Sequence, residues 1–162
     1  LVSLLCELRD DGTTIVCARF SPGRRRVYIA TVGDSRCYRI RDGEIRQLTT
    51  DHTLAAMGIK GPAGGKLSRA VGVFDDVDVD VSVDEPLSGD YYVLCRAGLY
   101  RMVEDAEILG IVQSGESLAV SIDGLIAAAN ESGGRDNVTV VLVRIDEPNF
   151  DPGESGEHLL PG

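Results

Sequence analysis

Residues 27–48 read VYIATVGDSRCYRIRDGEIRQL, and this stretch decides the fold class. Two runs in it, 27–32 and 37–40, are rich in β-branched and aromatic residues, which is typical of strands. Asp42-Gly43 separates the second run from residues 44–48 and is a strong hairpin signal. Because a tight turn reverses the direction of the chain between two neighbouring strands, the stretch predicts antiparallel strands.

More strands are predicted on both sides of this stretch. Residues 14–20 are β-rich and end at Ser21-Pro22-Gly23, and residues 91–95 read as a short buried strand. Residues 77–83 alternate between valine and polar residues, which predicts a half-buried strand with the aspartates on its solvated face. Asp76, Asp78 and Asp80 are not interpreted as a calcium loop, since Val81 stands where that motif needs glycine.

The second half of the chain predicts helices. One begins near Val103 with acidic residues in its first turn, where the helix dipole favours them, and another covers residues 116–130. Residues 138–143 then predict a fully buried strand, which completes an α+β pattern. Glycines and a proline at 51–66 predict an exposed, mobile flap. We expect residues 1–146 to form one partial domain and 147–162 a flexible tail.

Composition limits the function classes. The net charge of the 162 residues is −10, which argues against nucleic acid as a partner because phosphate contacts need clustered lysine and arginine. The basic run Arg24-Arg25-Arg26 reads as a solvated turn. No apolar run is long enough to span a membrane, and the brief apolar start lacks the features of a signal peptide.

The cysteines favour a reducing compartment. Cys6, Cys17, Cys37 and Cys95 lie far apart and form no C-x-x-C pair. Buried free thiols are the expected state, rather than disulfides or a zinc site. These features together predict a cytoplasmic protein.

Three phrases occur in a specific order: residues 32–36 (VGDSR), 67–72 (LSRAVG) and 134–139 (GRDNVT). Together they resemble the PP2C (PPM) family of metal-dependent serine/threonine protein phosphatases, most of all its bacterial members. The resemblance covers about residues 12–145 and includes Gly12-Thr13-Thr14 and Asp51-His52. It implies a sandwich of two antiparallel sheets flanked by helices.

The same resemblance implies a cofactor and a reaction. Members of the family bind two Mg²⁺ or Mn²⁺ ions, and a bridging water attacks a phosphoserine or phosphothreonine. Hard divalent cations prefer carboxylate oxygens, and two ions about 3.5–4 Å apart lower the pKa of a shared water and neutralise charge on the phosphoryl group. Such a centre needs several carboxylates.

The resemblance assigns metal positions residue by residue. Asp136 matches a family metal ligand, and Asp34 matches a residue used around an additional, weaker metal. Where the family has Ser-Asp-Gly, this chain has Arg96-Ala97-Gly98, so the metal-site positions Arg96 and Ala97 are degenerate. The family's N-terminal strands, with a phosphate-contacting arginine and a DGxGG turn, have no counterpart, and residues 1–11 are expected to match the end of the helix that follows them.

Structural alternatives to these roles stay open. Asp34 could instead bond its own turn backbone, and Asp136 could cap the turn before the last strand. His52 is interpreted as a packed flap residue rather than a catalyst. No residue is assigned as catalytic.

Two functions follow from this comparison. The first is a catalytically impaired domain, a pseudophosphatase that binds a phosphoprotein or another protein partner and whose Mg²⁺ or Mn²⁺ binding is doubtful. Arg96 could hold a phosphorylated ligand without hydrolysing it. The alternative is an active phosphatase represented by a truncated or altered chain. A sheet without its leading strands would also expose apolar surface, which predicts self-association.

Overall fold

The computed structural model describes residues 2–9, 12–73 and 75–146. Its strands are β1 (Val2–Arg9), β2 (Gly12–Ser21), β3 (Arg26–Val32), β4 (Arg36–Arg41), β5 (Glu44–Gln47), β6 (Asp80–Asp84), β7 (Tyr91–Cys95) and β8 (Val140–Arg144). They form two four-stranded antiparallel sheets, with orders β1-β2-β3-β6 and β5-β4-β7-β8. The α-helices within these ranges are α1 (Ala97–Tyr100), α2 (Asp105–Ser114) and α3 (Leu118–Glu131), and Pro22–Arg24 form a short 3-10 helix. The predicted α+β fold with two antiparallel sheets is confirmed.

A first apolar core lies between the two sheets. Alternate residues of β2 and β3 face inward because side chains along a strand alternate between its faces. This core consists of seven buried residues, Val16, Ala18, Val27, Ile29, Cys37, Tyr92 and Leu94. Phe20 packs edge-on against the Tyr92 ring with the centroids 5.2 Å apart, a favourable aromatic geometry.

The helices cover the other face of the second sheet. Leu99, Ile108 and Leu125, one from each helix, are buried against Tyr38 and Val93 of that sheet. The side chain of Ser117 accepts a hydrogen bond from the Val120 amide and caps the start of α3. The two long helices lie within two residues of their predicted starts, whereas α1 was not predicted. None of the helices in the described part of the chain is long and apolar enough to cross a membrane.

The strand around residue 80 is shorter than predicted and faces the other way. Its valines lie outside, with Val81 64% exposed, whereas Asp84 points inward, accepting hydrogen bonds from Arg39 Nη1 and the Tyr92 hydroxyl, both at 2.7 Å. The prediction that the aspartates form the solvated face is therefore wrong within β6, although Asp76 and Asp78, which precede it, are exposed. A carboxylate is favourable on the inner face of β6 because Arg39 and the Tyr92 hydroxyl donate hydrogen bonds to it there.

Two other predictions are corrected. Residues 2–9 form β1, paired with β2 along its length, and are not the end of a helix. β8 is not fully buried: Leu142 is its one buried residue, because β8 has a described strand partner, β7, on one side only. The predicted tail lies outside the described residues.

The flap contains no helix or strand between residues 54 and 66, as predicted. Its base is closed by backbone bonds from Leu54 N to Lys66 O (2.9 Å) and from Ala55 N to Gly64 O (2.8 Å). Cys17, Cys37 and Cys95 are free thiols, as expected, and burial raises the pKa of Cys37 to about 12. The side chain of Cys6 lies outside the described residues. Mobility of the flap stays a prediction.

Candidate functional site

The register of the second sheet brings the motif-bearing turns to one end of the molecule. Arg36 pairs with Cys95, and Cys95 pairs with Val140. The turns at 33–35, 96–98 and 134–139 directly adjoin these three paired residues. Three turns that are spread over about 100 residues of the chain therefore lie in a row, with 96–98 between the other two.

The first turn depends on Gly33. Its φ is +100°, a left-handed conformation that favours glycine, and a Cβ there would lie 2.5 Å from Thr14 Cγ2. The Gly33 amide donates to His52 Nδ1 at 3.0 Å. Ser35 Oγ and Thr14 Oγ1 lie 2.9 Å apart in a buried hydrogen bond. This packing directs the next side chain, Asp34, into the interior.

Asp34 is completely buried and pairs with Arg101. Arg101 Nη2 lies 2.8 Å from Asp34 Oδ2, and the arginine side chain is 42% exposed. A buried carboxylate needs a compensating partner because it has lost its hydration. The guanidinium therefore neutralises the carboxylate that the sequence assigned to a weak metal position.

The second turn carries no carboxylate. Ala97 is buried and is the first residue of α1, and Arg96 precedes it as the N-cap without a side-chain cap bond. The Arg96 amide makes a long contact of 3.4 Å to Thr139 O. Ala97 offers no oxygen or nitrogen from its side chain, so this turn supplies no side-chain ligand at the position of the family's aspartate.

The second and third turns are in backbone contact. A Cβ placed on Gly98 would overlap the carbonyl oxygen of Asn137 and lie 2.9 Å from its carbonyl carbon. The structure thus brings Ala97 and Asp136 into neighbouring turns, as the family resemblance implies. Close approach of two backbones explains glycine at position 98.

Asp136 is exposed, and its side chain forms a hydrogen bond within its own turn. Its Oδ1 accepts a hydrogen bond of 2.8 Å from the Asn137 amide, which is the local capping role left open above. Asp136, Arg135 and Asn130 line a shallow pocket of about 560 Å³ that opens to solvent. The carboxylate remains accessible to a ligand there.

A second arginine orders the region beside α1. Arg36 makes a bidentate contact to Asp51, with Nη2 to Oδ2 at 2.6 Å, and its guanidinium lies 3.6 Å from the centre of the Tyr100 ring. Burial, followed by the negative charge of Asp34, raises the pKa of the Tyr100 hydroxyl well above its usual range. The Tyr100 hydroxyl therefore stays protonated at neutral pH.

His52 has the packed role predicted for it. It is buried, accepts from Gly33, and its Nε2 lies 2.9 Å from Asp80 Oδ2. Since Nδ1 is the acceptor, Nε2 carries the proton and donates to Asp80. The bond from His52, and then the one from Arg69, holds the pKa of Asp80 below its usual value. Both nitrogens of the ring are thus engaged in packing the flap base.

The described residues do not fit a two-metal centre by themselves. Within residues 12–73 and 75–146, no three histidine, cysteine, aspartate or glutamate side chains lie close enough to hold a metal ion. Asp34 is paired with Arg101, and Ala97 has no ligand atom. Asp136 is the one carboxylate from the sequence assignment that remains accessible.

Sequence reasoning missed Arg101. Its partner Asp34 is 67 residues away in the chain, and no spacing rule connects two turns on different strands. The available signal was a basic residue shortly after the substituted turn, at the end of the run Arg96-Ala97-Gly98-Leu99-Tyr100-Arg101.

Comparison with known proteins gives consistent results. Residues 5–56 match the family model Protein phosphatase 2C. The serine/threonine phosphatase stp of Listeria welshimeri is 38% identical over 148 residues, covering 85% of this chain and 58% of the relative. The chain thus spans a little over half the length of this relative.

Solved structures show the same fold. The serine/threonine phosphatase of S. agalactiae superposes with a TM-score of 0.78 at 30% identity, covering 85% of this chain and 62% of the other. The catalytic domain of the phosphatase PstP, solved with two manganese ions, gives 0.74 at 35% identity, with 84% and 60% covered. The ordered turns, the two sheets and these relatives agree, and the chain belongs to the protein phosphatase 2C family.

Proposed function

We propose that this chain is a catalytically impaired PP2C-type serine/threonine phosphatase domain that acts as a binding or regulatory module. The observation that carries the proposal is the replacement of the family's aspartate by the buried Ala97. The pairing of Asp34 with Arg101 supports it, because that carboxylate is already neutralised. Asp136 alone is a poor site for two divalent ions, which need several oxygen ligands.

The proposed partner is a phosphorylated protein or a protein that recognises this fold. The similar Listeria protein is named a serine/threonine phosphatase, which favours phosphoserine or phosphothreonine as the recognised group. Arg96 in the substituted turn adds a cation that suits a phosphate. The net charge of −10 argues against nucleic acid. Free thiols at Cys17, Cys37 and Cys95 support a cytoplasmic location.

We expect no phosphatase turnover by this chain. Hydrolysis of p-nitrophenyl phosphate in millimolar Mn²⁺ should equal the rate measured in excess EDTA, because no pair of ions is held to activate a water. The Listeria phosphatase assayed in parallel is the positive control. A Mn²⁺-dependent rate clearly above the EDTA rate would disprove the proposal.

The alternative is an active phosphatase whose metal site is completed by residues outside this chain. The limited coverage of the relatives, 58% for the Listeria protein, favours it. Its test is the double substitution Arg96→Ser/Ala97→Asp in a protein that includes the upstream coding segment. Metal-dependent turnover in that folded variant supports the alternative, and its absence counts against it.

We also propose self-association through the outer face of the first sheet. Val81 and Val83 are exposed there beside their cross-strand neighbours Ala30 and Tyr28. Among the described residues, the helices make their main contacts to strands with the second sheet. In the described structure, β6 has a strand partner on one side only. An apolar face next to an unpaired edge favours association with a second copy.

Light scattering after size exclusion tests this association. We expect a mass above that of the 17.3 kDa monomer that falls to the monomer in Val81→Lys/Val83→Lys. Ser88→Lys adds a charge at an exposed position in the loop between β6 and β7, outside the strands of this sheet, and should leave the mass unchanged. A wild-type monomer at all concentrations, with a native circular dichroism spectrum, would exclude the association.

A further inference from the structure

The environment of Asp34 requires a positive charge. Its side chain has no solvent exposure, and a carboxylate removed from water is stable only when it is paired or hydrogen-bonded. In a metal-binding protein a divalent cation would meet this requirement. Here Asp34 Oδ2 forms its ion pair with a residue of the chain itself, Arg101.

Arg101 is fixed in place to provide that charge. It follows α1 directly, and its amide donates to Ala97 O at 3.1 Å. The helix is anchored because Ala97 and Leu99 are buried in the core. The guanidinium thus lies at the outer end of a rigid turn and reaches inward to Asp34 at 2.8 Å.

The neighbouring carboxylate is balanced in the same way. Asp51 accepts hydrogen bonds from Arg36 Nε at 2.9 and 3.2 Å and from Arg36 Nη2 at 2.6 Å. The Tyr100 ring lies under the Arg36 guanidinium, and Tyr100 directly precedes Arg101 in the chain. Guanidinium groups therefore balance both Asp34 and Asp51, and a divalent ion approaching Asp34 would meet Arg101 first.

We propose that Arg101 is a built-in counter-ion that takes over the charge-balancing role of a divalent cation at Asp34. This end of the fold is then stable without metal, and Asp34 is closed to Mg²⁺ and Mn²⁺. The inference rests on the proposed function in one respect, the lack of a working metal centre. It adds the residue that makes the metal dispensable for folding.

Thermal unfolding followed by circular dichroism tests the proposal. The Tm of the wild-type chain should be the same in EDTA, Mg²⁺ and Mn²⁺. Arg101→Met keeps the apolar stem but removes the guanidinium from the buried Asp34 carboxylate, so its Tm in EDTA should fall by about 5–10 °C, and Mn²⁺ should restore part of the loss. Arg144→Met, which breaks an exposed ion pair with Asp146, is the matched control and should change the Tm little.

A double variant keeps the test decisive if Arg101→Met fails to fold. In Asp34→Asn/Arg101→Met both charges are absent, so its Tm should recover most of the loss and show no response to Mn²⁺. A double variant no more stable than Arg101→Met would overturn the proposal, because the loss would then come from packing.

The outcome separates this proposal from the proposed function. A Mn²⁺-dependent rise in the Tm of the wild type that disappears in Asp34→Asn would overturn the counter-ion role, even without turnover. The wild type could instead show Mn²⁺-dependent turnover while Mn²⁺ leaves its Tm unchanged. That result would refute the catalytic impairment and leave the counter-ion role intact.

Discussion

Gly98→Ala is expected to destabilise the fold by about 3 kcal/mol, because a methyl group at this position has no space. It would overlap the Asn137 carbonyl oxygen and lie 2.9 Å from the carbonyl carbon, both of which are backbone atoms. α1 must then move away from the 134–139 turn. Leu99, the next residue, is fully buried in the core beneath the helices, so the movement also disturbs packing.

Gly110→Ala is the matched control for this prediction. Gly110 lies inside α2, and a Cβ there would meet no atom within 4 Å. Alanine favours the helix, so this variant should gain about 0.5–1 kcal/mol. Urea unfolding followed by circular dichroism measures both, since the chain has no tryptophan. Equal effects of the two substitutions would contradict the close approach of the two turns.

The strands of the sandwich were largely predictable because their signals are local. The hairpin at Asp42-Gly43 lies between β4 and β5, and the predicted strand at 91–95 coincides with β7. Hydrophobic alternation and turn residues act within a few positions, so one sequence reveals them. α1 was missed because four residues are too few to produce a helical period.

The orientation of β6 was not predictable from its pattern. Alternation shows which residues share a face, but it does not show which face meets the core. Valine is normally the inward residue, yet Asp84 is the inward one here because it accepts hydrogen bonds from Arg39 on β4 and from the Tyr92 hydroxyl on β7. Those partners lie in the other sheet, and their positions depend on tertiary packing.

The candidate site was predicted as a set of turns but not as a set of interactions. The motif order placed Asp34, Ala97 and Asp136 together, which the sheet register explains. The state of each group depends on contacts that spacing does not encode. Arg101, at the end of α1, neutralises Asp34 in the turn between β3 and β4, whereas Asp136 accepts a hydrogen bond from the backbone of its own turn.

Asp90→Ala is expected to lower the free energy of unfolding by about 3–4 kcal/mol. Asp90 is 1% exposed and accepts from Arg41 Nε at 2.7 Å and from Arg41 Nη2 at 2.6 Å. Its Oδ2 also accepts from the Leu87 amide at 2.7 Å. Removing the carboxylate leaves the Leu87 amide without its acceptor. It also takes both carboxylate bonds from Arg41, whose Nη2 keeps only its bond of 2.8 Å to the Glu85 carbonyl among the contacts described. The same residue joins β7 to the chain after β8 through its carbonyl, which accepts from Ile145 N at 2.8 Å.

Asp146→Ala is the control. It removes an aspartate from an ion pair whose N–O distance is similar but whose side chains are exposed to solvent. Arg144 and Asp146 are 2.7 Å apart, but their side chains are 45% and 73% exposed. Solvent screening limits such a pair to less than about 1 kcal/mol. The two variants together test whether burial, rather than the number of ion pairs, decides stability in this sandwich. If Asp90→Ala and Asp146→Ala shift the urea midpoint equally, the Arg41–Asp90 pair is solvated in solution and does not hold the strand ends together.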